Sequence, residues 1–211
     1  MKFLNELAII YLEVNEMIHQ ISKQLANFLL RKNAIPENEI DIYIYGYEML
    51  LSELFDFIIV VSIGIIYDKI ATMIVFFIMF ITTRIYTGGY HANTFARCKE
   101  IFFTICMFMI LTTDVHISLG SLFAAILIFN VTVYLLAPVD NINKRLSDDE
   151  KIKYRDISIL TAWIWSCIAI ITYFNFIEIS QSIMITALII AFLMIVGNIK
   201  NRMEVKCYES E

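Results

Sequence analysis

Residues 55–84 read FDFIIVVSIGIIYDKIATMIVFFIMFITTR, two apolar runs separated by the short gap Tyr67-Asp68-Lys69. No charged residue occurs from Phe57 to Ile66 or from Ile70 to Thr83, so neither run has the polar face of a water-exposed helix. The hydrocarbon core of a bilayer is roughly 30 Å thick and takes about 20 apolar residues to cross. The stretch therefore reads as two membrane-spanning helices joined by a tight turn. Comparable runs near 43–66, 70–86, 101–113, 115–136, 157–174 and 177–199 predict an all-α polytopic membrane protein with about six transmembrane helices. The third run is short, and the residues just before Ile101 are expected at the interface.

Composition agrees: of 211 residues, 59% are apolar and 14% aromatic, with a mean hydropathy of +0.72, so lipid is the expected solvent for most of the chain. A net charge of -5 and a sequence pI of about 5.3 leave no basic excess to draw nucleic acid. Two prolines, Pro36 and Pro138, and six glycines are too few to build a linker, and no low-complexity tract or internal repeat is visible. One domain is expected over 1–211. It comprises an N-terminal amphipathic helix (1–36), a six-span bundle (43–199) and a cytoplasmic tail (200–211).

Cys98, Cys106, Cys167 and Cys207 form no CxxC pair, and Cys106 and Cys167 fall in apolar runs, where cysteine acts as a small hydrophobe. No disulfide framework, metal site or cofactor is expected, and Cys207 is expected as an unstructured thiol in a polar tail. Glu6, Glu13 and Glu16 interrupt the N-terminus, which does not read as a signal peptide. Instead Phe3, Leu4, Leu7, Tyr11, Val14, Ile18, Ile21, Leu25 and Phe28 recur at helical spacing, predicting a helix that ends before Pro36 and lies in the headgroup layer or docks a partner.

Basic residues supply an orientation, because Lys and Arg are retained in short cytoplasmic loops. Residues 1–42 carry four, 67–69 one, 84–100 three, 137–156 five and 200–211 three, while the turns near Asp114 and Glu178 carry none. Fifteen of sixteen thus fall on alternate segments. Six crossings with both termini and the loops 84–100 and 137–156 in the cytoplasm would produce this pattern.

The loop 84–100 combines the pair Gly88-Gly89, His91, and Cys98 between Arg97 and Lys99. A cysteine nucleophile needs a base about 3 Å away and surroundings that favour thiolate. In one straight helix His91 and Cys98 would lie about 10 Å apart along the axis at 1.5 Å per residue. A backbone break at the glycines would let residues 90–95 fold back and bring imidazole to sulfur. Thr94 or Asn93 would then cap the third span, leaving Cys98 near its positive end. The same residues also read as a polar turn with an incidental interfacial thiol, since His-x6-Cys alone does not establish a nucleophile.

Beyond that pair, the chain carries Tyr45-Gly46-Tyr47-Glu48 at the first span, and Arg84 followed by Gly88-Gly89-Tyr90-His91-Ala92 and Arg97-Cys98. After the fourth span come Ala137-Pro138-Val139-Asp140-Asn141 and Asn143-Lys144-Arg145-Leu146. In these motifs, and over nearly its whole length, it resembles the accessory gene regulator B (AgrB) peptidases of Gram-positive quorum-sensing systems. The resemblance implies that Cys98 is the nucleophile and His91 its general base and later acid, with Arg84, Gly88 and Gly89 in support. It also implies a bacterial cell-membrane location, a homodimer, and a membrane-associated propeptide (AgrD-like) as substrate. The propeptide loses its C-terminal tail through an acyl-enzyme and closes into a thiolactone or lactone ring.

Lys144, Arg145, Lys151, Lys153 and Arg155 suit topology first and an acidic propeptide tail second. Asp140, Asn141 and Asn143 read as loop residues, and no third catalytic group is identifiable. Glu48, Glu53 and Asp56 lie in or beside the first span, where carboxylates are costly. They sustain the alternative of a transporter, which together with a non-catalytic scaffold is the rival to the peptidase. His19 and His116 read as single polar residues at interfaces.

Overall fold

A computed structural model describes the backbone over residues 2–90, 95–113, 115, 118–139 and 146–209, and side chains from residue 16 to 203 within those limits, those of 95 and 96 excepted. The described residues form seven α-helices: α1 (Lys2–Arg31), α2 (Ile40–Ile66), α3 (Ile70–Thr87), α4 (Phe95–Thr112), α5 (Leu119–Leu136), α6 (Asp148–Asn175) and α7 (Ile177–Glu209). No strand occurs among the described residues, as the apolar runs predict. Five of these helices are long and apolar enough to cross a membrane: α2 with the 3-10 turn before it, α3, α5, α6 and α7 up to Met203. The sixth candidate, α4, falls short because Arg97, Lys99 and Glu100 occupy its first two turns.

The chain divides into two compact units. The first, Met1–Ser62 with Asn93–Phe103, holds α1, most of α2 and the start of α4. Helix α1 closes at Arg31 through a left-handed Asn33 (φ 53°), and extended Pro36 opens a single 3-10 turn, Glu37–Glu39. Of the described part of α1, Ile18, Ser22 and Ala26 form a buried stripe at steps of four, while Ile21, Leu25 and Phe28 stay exposed. His19 is not solitary, as the sequence suggests: its Nδ1 meets Glu48 Oε1 at 2.5 Å.

The second unit, Ile63–Ala92 with Thr104–Glu211, is organised around α7. Burial covers 61% of the apolar window of α7, against 22–39% for α3, α5 and α6, so α7 is the central helix of this unit. Lipid gives no hydrophobic drive for helix pairing, so small residues and interhelical hydrogen bonds must supply it. Ala162, Ala169, Ala187 and Ala191 sit in the core with Phe129, Val133, Ile183, Ile190 and Met194. Ser182 Oγ donates to the Thr72 carbonyl, Ser180 Oγ to that of Ala169, and Asn130 Nδ2 to Ser166 Oγ.

Within this unit the turns sort into two ends. At one end, Lys69 Nζ lies 3.2 Å from Glu178 Oε1, and the Gln181 amide donates to the carbonyls of Thr112 and Val115. The turns after α2, α4 and α6, which hold one basic residue between them, therefore meet. At the other end, the Thr87 carbonyl accepts from Val139 N–H, Tyr86 packs edge-on against Tyr154, and Arg155 lies over the Tyr134 ring. The turns after α3 and α5 therefore meet at this end.

Two boundaries differ from the sequence reading. Lys151, Lys153 and Arg155 lie not in a loop but on α6, because Ser147 and Glu150 form a reciprocal capping box that starts the helix at Asp148. The tail is helical to Glu209, so Cys207 belongs to α7 rather than to an unstructured segment. With no Gly or Pro after Gly197, nothing in the sequence stops the helix.

Candidate active site

The glycine pair breaks the backbone where the sequence predicts. Helix α3 ends at Thr87, with Gly88 at φ 67° and ψ -149° and Gly89 at φ 134°, and α4 begins at Phe95. The Gly88 conformation is essentially reserved for glycine. A Cβ there would also overlap the Val139 carbonyl oxygen, because Gly88 and Val139 lie side by side as an isolated parallel bridge.

Arg84 closes the turn from the last turn of α3. Its Nη2 donates to the Tyr90 carbonyl at 2.6 Å, and its guanidinium lies over the Phe80 ring, 5.4 Å from the centroid. The far side of the turn rests on α7: Tyr90 N–H donates to the Leu193 carbonyl at 2.9 Å, and the Lys200 ammonium stands 5.1 Å from the centre of the Tyr90 ring. A Cβ on Gly197 would lie 2.6 Å from both the Gly89 carbonyl carbon and the Tyr90 nitrogen. The two backbones can touch only because Gly197 has no side chain.

In the other unit, Cys98 is the fourth residue of α4 and is exposed. Sequence reasoning counts Lys99 as a second local cation for the thiolate, and the structure corrects this. Lys99 is 4% exposed, and its Nζ donates to Asp56 Oδ2 at 2.5 Å and to the Ser52 carbonyl at 3.2 Å. Successive helical residues are turned by about 100°, so Cys98 faces out while Lys99 faces in toward α2. Arg97, on the other side of Cys98 in the sequence, is exposed.

Asp56 is thereby matched by a fixed lysine, and Glu48 by His19, so two of the three carboxylates that could have lined a transport path are engaged within the first unit. Of the basic residues considered for a substrate tail, Arg155 hydrogen-bonds the Tyr134 carbonyl at 3.4 Å, Lys151 lies 3.9 Å from Asp148 Oδ1, and Lys153 is exposed. His91, Asn93, Thr94, His116, Asp140, Asn141, Asn143, Lys144 and Arg145 lie outside the described residues. Cys106 is buried, Cys167 is exposed, and neither forms a disulfide. Sequence reasoning missed Gly197 and the Asp56–Lys99 pair. Gly197 interrupts the apolar part of α7, a signal of close backbone approach, whereas nothing in a sequence links residues 43 positions apart.

With five helices long and apolar enough to cross a membrane and no strand among the described residues, the chain is a polytopic helical membrane protein. The chain belongs to the accessory gene regulator B (AgrB) family, whose model matches residues 22–195. It is 26% identical over 171 residues to AgrB-like protein 2 of Clostridium perfringens (strain 13 / Type A), covering 75% of this chain and 80% of that protein. No solved structure matches it significantly. Membership ties this multi-pass membrane protein to quorum-sensing processing in the accessory gene regulator system.

Proposed function

We propose that the protein is a membrane cysteine endopeptidase that removes the C-terminal tail of an AgrD-like propeptide and promotes ring closure. The observation that carries this reading is the exposed Cys98 in the first turn of α4, in a chain of the AgrB family. His91 takes the Cys98 proton, and the sulfur attacks the carbonyl before the tail. The carbon–nitrogen bond breaks, the departing amine takes the proton from His91, and an acyl thioester remains. The propeptide's own Cys or Ser attacks that thioester, frees Cys98 and closes the ring, provided water is kept away. Lys151, Lys153 and Arg155, with Lys144 and Arg145, would attract an acidic tail. The working unit is a homodimer in the bacterial cell membrane, to be checked by cross-linking in vesicles.

The test co-expresses variants with the cognate propeptide. Cys98→Ala should abolish cleavage with membrane insertion unchanged, and Cys98→Ser should be nearly as inactive, because His91 makes an alkoxide less readily than a thiolate. Cys106→Ala and Cys167→Ala should cleave normally. Full processing by Cys98→Ala would refute the reading.

Both termini are assigned to the cytoplasm, with α4 taken as the sixth crossing despite the charges in its first two turns. The end of the second unit where Lys69 meets Glu178 then faces outward. Single cysteines at 68 and 178 should label with an impermeant reagent in intact cells, and one at 150 should not; the reverse pattern inverts the assignment.

A further inference from the structure

We propose that the groove between α5 and α6 is a binding site for an anionic phospholipid, whose acyl chain lies along Trp163 and whose phosphate meets Arg155. The proposal needs no propeptide and stands apart from the peptidase reading. The groove has a volume of about 250 Å³ and is walled by Val131, Tyr134 and Leu135 of α5 and by Ile159, Ala162 and Trp163 of α6, all in the second unit. Asn130 also lines it, but its Nδ2 donates to the Ile126 carbonyl and to Ser166 Oγ, so the amide donor is engaged within the helix pair. The occupant is therefore offered mostly apolar surface. A groove of that volume takes a lipid tail rather than a second helix, whose diameter is about 10–12 Å.

Along α6, Lys151, Arg155, Ile159 and Trp163 recur at steps of four and so share one face. No charged residue follows Asp156 until Glu178, which puts Arg155 at the edge of the apolar run. The climb from Arg155 to Trp163 is about 12 Å at 1.5 Å per residue, within the roughly 15 Å that one leaflet gives to the hydrocarbon core. The stripe thus leads from charge at headgroup level to an aromatic wall at chain depth. Arg155 stands at the end of the groove: its Nη2 donates to the Tyr134 carbonyl at 3.4 Å, and its guanidinium lies 5.4 Å from the centre of the Tyr134 ring. It is exposed and, among the described residues, has no carboxylate partner, whereas Lys151 has Asp148 at 3.9 Å. Asp156, its neighbour in sequence, is turned about 100° away. A planar guanidinium suits phosphate, and basic pockets between membrane helices hold anionic headgroups. An apolar groove alone would take any lipid, and the cation at its end selects the charged one.

The test places the full-length protein in phosphatidylcholine vesicles holding a minor fraction of phosphatidylglycerol, with one lipid or the other carrying brominated chains that quench tryptophan on contact. Trp165, which donates to Thr82 Oγ1 on α3, is replaced by Phe so that Trp163 is the one tryptophan left. Brominated phosphatidylglycerol should quench Trp163 about fivefold more than its share of the bilayer dictates, the preference that one cation near the membrane surface confers. Arg155→Gln should lower the quenching to that share. Val131→Phe, which fills the groove and keeps Arg155, should do the same, whereas Lys153→Gln, which removes a cation from another face of α6, should leave the excess unchanged. Should the Trp165→Phe background fail to accumulate, the signal is read as the difference between the wild type and Trp163→Phe. Quenching that follows bulk composition, or an excess that survives either Arg155→Gln or Val131→Phe, overturns the proposal. An equal loss in Lys153→Gln would trace the excess to net charge rather than to a site, and overturns it as well. If neither brominated lipid quenches Trp163, a second copy of the chain covers the groove and the lipid site is refuted.

Discussion

Two segments flank the stretch that joins His91 to Cys98, and they are held by opposite means. Before it, the turn from Gly88 to Tyr90 is fixed by backbone contacts and by the absence of side chains at Gly88 and Gly197. After it, the first turn of α4 is tied to α2 by a buried ion pair, Lys99 to Asp56. A charge pair fails when one partner is removed and can recover when the other follows. A glycine contact has no second half to restore.

The largest effect is expected from breaking the pair by halves. Asp56→Leu leaves Lys99 charged and buried, a loss of about 3–5 kcal/mol of stability. Lys99→Met does the same to Asp56, whereas the double variant Asp56→Leu/Lys99→Met should recover most of the loss. A double-mutant cycle of unfolding in mixed micelles measures the coupling. Additive losses would show that the two charges do not depend on each other.

A smaller effect, without rescue, is expected at the turn. Gly88→Ala forces a side chain into a conformation that costs about 1–3 kcal/mol, and the Val139 carbonyl must also move. The same unfolding assay should show that loss, and trimming Val139 to Ala should not relieve it, because the obstacle is a backbone oxygen. Relief by Val139→Ala would mean that side-chain packing governs the contact.

Most of the fold is legible because lipid writes itself into a sequence as long uncharged runs, and α2, α3, α5 and α7 lie where those runs lie. The boundaries are less so. Ser147-x-x-Glu150 is a readable start signal that puts Lys151, Lys153 and Arg155 on α6, yet the charge count for the loop masks it. The glycine break is legible from Gly88-Gly89, since few other residues adopt positive φ. The anchoring of that break on Gly197 is not, because a lone glycine in an apolar helix states a close approach without naming the other backbone. Lys99 shows the converse: its charge is visible beside Cys98, but the helical turn that removes it to Asp56 is a matter of tertiary packing.

Helix α7 also acts as a ruler. At about 1.5 Å per residue, the twenty steps from Ile177 to Gly197 climb roughly 30 Å, the thickness of the hydrocarbon layer. With Ile177 at one boundary, the turn resting on Gly197 lies level with the opposite headgroups. On the peptidase proposal, a propeptide adsorbed on that leaflet would search for the turn in two dimensions rather than three, and its encounter rate would follow surface density instead of bulk concentration.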